Sequence, residues 1–372
     1  MKFTILRDDI HAALQAVASV VPQRSTIAMT QNILISAENQ RISLMATDLE
    51  ITIHSWAGGE IEQEGRLAVP GKLLSDIIRE LPNVNITFES DENFRLQFHS
   101  EFGEYKVAGE DPSNFPQMPQ IEEFRSVHLN NDVLRKLIEN TIFSTSRDEL
   151  RPALTGVYFE LEGQAIRTVA TDGHRLAMYR CQLPDAPETE ARAIISTRAL
   201  QFVLRNLDGE GLTEMKLGEK HAMFQFGTTE LFARLIDEAF VDYQRVIPAE
   251  TNFKLEVETS RFFSSAKRVS LFSNPITAQI ILRLYASSMQ LLAEDVDYGG
   301  QAKEQIPCEF NGEEFIIGFN SSYLQEVLRH IDAEKVVLEF IRPDYAVLAK
   351  PVDSPEEEEQ LMLLMPVRLD QV

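Results

Sequence analysis

The stretch Ala170-Thr171-Asp172-Gly173-His174-Arg175-Leu176-Ala177 decides how this chain is read. Its first three residues recur upstream as Ala46-Thr47-Asp48, and a fainter echo, Ala293-Glu294-Asp295, lies downstream. The alanines stand 124 and 123 residues apart. A fixed period across a whole chain is the mark of one structural unit repeated. Only the middle copy continues into Gly-His-Arg. The Ala-x-Asp part therefore reads as structural, and Gly173-His174-Arg175 as something added to it.

Working outward, each third opens with an alternating strand that gives way to helical spacing. Phe3-Thr4-Ile5 leads into Asp9 to Val21, Val127-His128-Leu129 into Asp132 to Phe143, and Leu255-Glu256-Val257 into Arg261 to Phe272. Ser, Asn or Asp near each switch is expected to cap the helix. Strands follow, alternating at Ile42, Leu44 and Ala46 in copy one; in copy two Val157, Phe159 and Leu161 precede a Glu162-Gly163 hairpin turn. A second helix then repeats in phase, with apolar stripes Leu74/Ile77/Ile78/Leu81, Leu200/Val203/Leu204/Leu207 and Leu324/Val327/Leu328/Ile331. Each stripe follows i, i+3, i+4, i+7, one buried face of an amphipathic helix. Three such stripes in phase imply a repeated α+β domain, with two helices laid against antiparallel sheets. Proline-bearing connectors, Pro112 to Phe124 and Phe240 to Asn252, set domains at 1–125, 126–251 and 252–372.

At 372 residues the chain exceeds one typical core, as three domains require. No stretch approaches the ~20 apolar residues of a membrane span, and the N-terminus lacks the pattern of a secretory signal. Cys181 and Cys308 form neither a disulfide framework nor a metal motif. These features place the chain in the cytoplasm. The net charge of −23 argues at face value against nucleic acid. The helical stretches, however, carry net +6 and the remainder −29. Such a chain can turn basic helices towards a polyanion and acidic sheets outward.

Four ordered motifs on this repeat carry a family resemblance: Arg151-Pro152-Ala153-Leu154-Thr155-Gly156-Val157, Ala170 to Ala177, Phe240 to Pro248, and Met365-Pro366-Val367-Arg368-Leu369. Over essentially its full length the chain resembles the β subunit of bacterial DNA polymerase III, the sliding clamps. The resemblance implies a DNA polymerase processivity factor with no catalytic residues, cofactor or metal. Its three repeated clamp domains would assemble as a head-to-tail homodimeric ring around double-stranded DNA, without sequence preference. Twelve helices at roughly 9–10 Å each would line a bore of about 35 Å.

It further implies a peptide pocket on domains two and three for the polymerase III alpha subunit, the clamp-loader delta subunit and other partners bearing a clamp-binding motif. The pocket residues would be Leu154, Thr171, Gly173, His174, Arg175, Leu176, Arg245, Val246, Asn320, Tyr323, Met365, Pro366 and Arg368. Leu154, Leu176, Val246 and Met365 suit an apolar slot, with Arg and Asn donors at the rim; Arg175 is expected there as an exposed charge. For DNA, Arg24 matches a family position and Arg147 an equivalent loop. Lys72, Arg79, Arg135, Lys136, Arg198, Arg205, Lys267, Arg268 and Arg329 join them on charge and helix placement. The dimer joint would use Tyr105 and Val107 of domain one with Leu271 and Phe272 of domain three.

Three features depart from the family pattern. Val241 stands where the family has Pro, Asp370-Gln371-Val372 extend the ending, and Pro351 to Gln360, with its run of glutamates, reads as a solvated turn. Two rival readings use the same residues. An acid–base enzyme could employ Asp172 and His174, but the Asp recurs in copies lacking the His. A multidomain protein-binding adaptor would share the pocket without encircling DNA. The acidic turn Ala293 to Asp297 lacks the glycine of a calcium loop and reads as solvated.

Overall fold

The computed structural model describes residues 1–184, 189–207, 209–295 and 299–369. Copy one comprises β1 (Lys2–Leu6), α1 (Arg7–Ala18), β2 (Asn32–Glu38), β3 (Arg41–Thr47), β4 (Ile51–Ala57), β5 (Glu60–Gln63), β6 (Gly65–Pro70), α2 (Gly71–Glu80), β7 (Asn85–Ser90), β8 (Arg95–Ser100) and β9 (Gly103–Ala108). Copy two repeats the order as β10 (Phe124–Asn130), α3 (Asn131–Ile142), β11 (Gly156–Gly163), β12 (Ala165–Thr171), β13 (Arg175–Gln182), β14 (Thr189–Ser196), α4 (Thr197–Asn206), β15 (Leu212–Gly218), β16 (His221–Phe226) and β17 (Thr229–Arg234). Copy three has β18 (Phe253–Glu258), α5 (Thr259–Val269), β19 (Gln279–Tyr285), β20 (Ser288–Asp295), β21 (Gly300–Pro307), β22 (Glu309–Phe310), β23 (Phe315–Asn320), α6 (Ser321–Arg329), β24 (Lys335–Phe340), β25 (Val347–Pro351) and β26 (Glu358–Leu364).

Each copy builds two antiparallel half-sheets. One runs β4-β3-β2-β6, β13-β12-β11-β14 or β21-β20-β19-β23; the other ends β1-β7-β8-β9, β10-β15-β16-β17 or β18-β24-β25-β26. Two of these edges are joined between copies. β4 pairs with β17, making one eight-stranded sheet, and β13 pairs with β26, making one of nine. The chain accordingly divides into two compact units, Met1–Leu134 with Arg198–Leu235, and Arg135–Thr197 with Ile236–Val372. Each unit is one such joint.

In the first unit α1 buries Ile10, Ala13, Leu14 and Val17 and packs on α2, β3 and β4. In the second, α5 packs on α6, β20 and β21. The second-helix stripes are buried as their spacing requires: Leu74 and Ile78; Leu200 and Val203; Leu324, Val327 and Leu328. Four aromatics stand in register across the β1-β7-β8-β9 sheet of copy one. Phe3, Phe88, Phe98 and Tyr105 stack at 4.9, 5.1 and 5.1 Å, with Tyr105 ending the ladder on the edge strand. Such directly opposed aromatic pairs stabilise by roughly 0.5–1.5 kcal/mol beyond burial.

The expected caps are only partly found. Asn130 accepts the Asp132 amide at 2.9 Å, but α1 and α5 begin at Leu6 and Glu258 with no side-chain cap. For α1 the partner comes from another loop: Asn83 Oδ1 accepts the Asp8 amide at 3.2 Å. A strand feeding straight into a helix leaves no room for a local cap, so the orphan donor is satisfied tertiarily.

The Ala-x-Asp echo is a shared turn. In copy two Asp172 Oδ1 accepts the His174 and Arg175 amides at 2.9 and 3.0 Å, while Thr171 Oγ1 accepts from Gly173 and donates to the Arg175 carbonyl. In copy one Asp48 Oδ1 accepts from Glu50 and Ile51, and Thr47 Oγ1 accepts from Leu49 and donates to the Ile51 carbonyl. The third position is left-handed in both, Gly173 at φ +91° and Leu49 at +80°. In copy three Asp295 is buried and accepts from Asn274 Nδ2 at 3.3 Å, which corrects the reading of that segment as solvated; Val296 and Asp297 lie outside the described residues. Because left-handed backbone penalises a Cβ, Gly173→Ala should cost roughly 1 kcal/mol. Leu49→Ala, where the strain is already present, should stay within about 0.5 kcal/mol. Urea denaturation of both variants tests this pairing.

Candidate functional site

The second unit brings most of the pocket residues together. The Thr171–Arg175 turn and the exit of β26 are adjoined, the Met365 amide donating to the His174 carbonyl at 2.9 Å. Beyond it, the Val367 amide donates to the Gly318 carbonyl at 2.9 Å, beside α6. A Cβ on Gly318 would come within 2.6 Å of Leu369, so that glycine seats the C-terminal segment. Asn320 Oδ1 caps α6 by accepting the Ser322 and Tyr323 amides. The Tyr323 ring lies 6.0 Å from that of His174. Burial raises the Tyr323 hydroxyl pKa, so it stays a neutral donor.

The apolar slot has a deeper floor than expected. Leu176 and Leu154 are buried; Leu176 belongs to a cluster with Val169, Met178, Tyr243, Leu348, Leu361 and Leu363. Val246 and Met365 are half exposed, and Gly173, His174, Arg245 and Arg368 are at the surface. Arg245 pairs with Asp242 at 2.7 Å. Pro366 is partly exposed beside Met365. Sequence reasoning left out Tyr243, whose ring anchors the connector on that floor. It also left out Arg151, whose Nη1 lies 3.3 Å from where a Gly173 Cβ would stand. Both sit inside quoted motifs, but burial and backbone approach are invisible there.

Arg175 is the main correction. It is not a rim charge: only 7% of it is exposed. Its Nε donates to Asp172 at 3.1 Å, its Nη2 to the Phe143 carbonyl at 2.6 Å, and its Nη1 pairs with Glu326 of α6. The guanidinium also lies over the Tyr323 ring at 4.5 Å and that of Phe143 at 5.4 Å. It cross-links the turn of copy two to α6 of copy three. Next to it His330 stacks on Phe143 at 3.9 Å and 6°, and its Nδ1 hydrogen donates to the Glu326 carbonyl at 2.8 Å. Residues 352–357 of the acidic loop form an exposed turn as expected, and the correction is confined to its end, which belongs to β26. Glu358 is a strand residue bound to Lys136 Nζ at 2.7 Å and to the Tyr179 hydroxyl. Burial pushes its pKa up, but those bonds outweigh it and the net shift is downward.

The DNA candidates fall into two groups. Arg79 pairs with Asp76 and Glu80, Lys136 with Glu358, Arg198 with Asp48 and Arg268 with Glu304, while Arg135 lies 3.9 Å from Glu139. Arg205 and Arg329 lie over the Phe202 and Phe263 rings. Arg24, Lys72, Arg147 and Lys267 are exposed and meet no carboxylate among the described residues. At the expected joint, Leu271 is 80% and Phe272 45% exposed, so Phe272 does not close its own core. Ile276, which sequence reasoning left out, is 91% exposed nearby in the chain. Val107 is a correction: it is buried in its own sheet, and Tyr105 is the neighbour that remains partly open.

Two tests follow from the Arg175 cluster. Arg175→Ala should leave Asp172 buried and unpaired and destabilise the protein by roughly 3–5 kcal/mol, against the near-neutral result of an exposed charge; denaturant melts distinguish the two. Burial holds the His330 pKa below its ordinary 6.5. The unfolded chain therefore takes up that proton more readily, so this stability is present above pH ~6.5 and lost as pH falls below it. His330→Phe, which keeps the stack, should flatten the slope of melting temperature between about pH 7 and 5.5.

Comparison with known proteins accords with this geometry. Sequence models of the DNA polymerase III beta subunit match in order: its N-terminal domain at residues 1–119, central domain at 128–242 and C-terminal domain at 244–368. The beta sliding clamp of Caulobacter vibrioides is 30% identical over 377 residues, covering 99% of this chain and 100% of that protein. The clamp of Synechococcus elongatus is 28% identical over 376 residues, with 99% and 100% covered. Among solved structures, the Bacillus subtilis sliding clamp superposes with a TM-score of 0.94 at 27% identity, covering 100% of both chains. A Pseudomonas aeruginosa clamp bound to griselimycin gives 0.93 at 29%, covering 99% and 100%. The chain belongs to the DNA polymerase III beta subunit family, the beta sliding clamps.

Proposed function

We propose that this chain is the processivity factor of a bacterial replicase: a sliding clamp that closes with a second copy around duplex DNA and tethers polymerase through the second-unit site. The observation that carries the reading is the pattern of strand edges. Within the chain, the strand after the Ala-x-Asp turn of one copy pairs with the last strand of the next, β4 with β17 and β13 with β26. The same rule leaves β21 of copy three and β9 of copy one over. Long free edges are a liability in solution. Pairing β21 of one chain with β9 of another uses both, twice, in a heterologous joint that closes. Tyr105 at the end of the aromatic ladder, with Leu271, Phe272 and Ile276, supplies the apolar contact.

The second-unit site then takes a short peptide, as from the polymerase alpha or clamp-loader delta subunit. Leu176 and Leu154 floor it, Met365 and Val246 form its sides, and His174, Asn320, Tyr323 and Arg245 offer polar groups. Arg175 holds the turn in place beneath it. For DNA, Arg24, Lys72, Arg147 and Lys267 bear the contact, and Arg205 adds a fifth. Few phosphates are met at once, so retention is topological and direct affinity weak and salt-sensitive. The work is mechanical rather than catalytic, and its place is the bacterial cytoplasm. We place the domain boundaries at about 125 and 251, beside the starts of β10 and β18.

Phe272→Ala should shift the protein towards monomer at micromolar concentration with each domain folded. Burying a Phe contributes roughly 1.5–3 kcal/mol, and the change strikes both joints; a dimer unchanged in analytical ultracentrifugation would contradict the assignment. Loaded on a nicked circle, the protein should stay until the DNA is linearised. Equal loss from circle and linear DNA would contradict encirclement.

A further inference from the structure

A cavity of about 1040 Å³ opens on the outer face of the first unit, over β2, β3 and β4 and under the connector 112–120. It shares no residue with the partner site. Register explains why it exists. One row across this sheet reads Arg66–Ser36–Ser43–Trp56, and the same row in copy two reads Arg192–Glu160–Arg167–Arg180. In copy two the chain fills the space itself. Glu160 takes Arg167 at 2.7 Å and Arg192 at 3.2 Å, and the Tyr243 hydroxyl of the connector donates to Glu160 at 3.1 Å. In copy one two serines replace the ion pair, and their hydroxyls make no hydrogen bond within the chain among the described residues. The connector's buried ring is Phe115, without a hydroxyl. The carboxylate and the aromatic hydroxyl are missing, and the space is open.

What lines it defines what it takes. Leu34, Met45, Met118 and the half-buried indole of Trp56 give an apolar floor and wall. Glu38 is held by Arg66 at 2.8 and 2.7 Å, and Glu230 meets His54 at 3.2 Å. Arg41 at the mouth is exposed and has no carboxylate among the described residues. The uncommitted charge is therefore positive, on a chain of net −23. The volume is at the top of the ~300–1,000 Å³ range of ligand pockets, room for several residues of extended chain. We propose that this cavity binds a linear segment of a partner protein in which an aromatic side chain is flanked by carboxylates: the ring lies against Trp56 and Met45, and a carboxylate reaches Arg41.

Trp56, the chain's single tryptophan, reports on the site directly. The full-length protein is titrated with the blocked tetrapeptide acetyl-Asp-Phe-Asp-Phe-amide, its lysine counterpart acetyl-Lys-Phe-Lys-Phe-amide, and acetyl-Asp-Ala-Asp-Ala-amide, following indole emission. The acidic aromatic peptide should give a saturable blue shift below about 1 mM, and the other two should bind at least about tenfold more weakly. Arg41→Glu, an exposed change that leaves the fold intact, should weaken that binding about tenfold or more. Ser36→Glu with Ser43→Arg, which rebuilds the copy-two pair, should abolish it. No saturable shift, equal shifts with the lysine peptide, or undiminished binding by Arg41→Glu would each overturn the proposal. Should the double variant fail to fold, Arg41→Glu still decides.

Discussion

An unpaired strand edge in water is the constraint on which this molecule is organised. Each repeat is two half-sheets with helices against them, and a half-sheet alone exposes rows of unpaired backbone donors and acceptors. The chain removes two pairs of edges internally, by joining β4 to β17 and β13 to β26. The same rule leaves over β9 and β21, which the chain cannot join because they belong to its first and last copies. A head-to-tail dimer, as proposed above, would satisfy every copy by the same rule.

The Thr-Asp turn shows how one structural device acquired a second use. In copies one and two it shapes the corner that leads into the joining strand, and its carboxylate meets an arginine at the joint. Asp48 meets Arg198 from copy two's α4, while Asp172 meets Arg175, which itself reaches Glu326 on copy three's α6. Both arginines fasten consecutive copies. At the second joint the left-handed position is glycine, and the residues around it open onto the C-terminal segment at Met365. The proposed partner site would thus stand on a corner whose rigidity the joint already requires.

The repeat was legible in the sequence because periodicity survives divergence: the second-helix stripes and the Ala-x-Asp turns stand where spacing put them. The resemblance named a set of residues, most of which lie together in the second unit, but the energetics of that cluster were not legible. Arg175 looks like a rim donor in a motif, and only three-dimensional packing shows Phe143, Tyr323 and Glu326 closing around it. Val107 fails for a similar reason. Two residues apart on β9, Val107 and Tyr105 share one face of the sheet; pairing opposite the buried Leu96 covers Val107, while Tyr105, further along the strand, stays partly open. The cavity at Trp56 was not legible at all, since a pair of serines announces nothing until they stand in register with a filled ion pair in the next copy.

The central claim is that β9 and β21 are not free edges in solution. Hydrogen exchange of their backbone amides, followed at micromolar protein, tests it most directly. The account predicts that the outward amides of both strands exchange as slowly as those of the internal joints β4–β17 and β13–β26. Rapid exchange of β9 and β21 while those joints stay protected would contradict it.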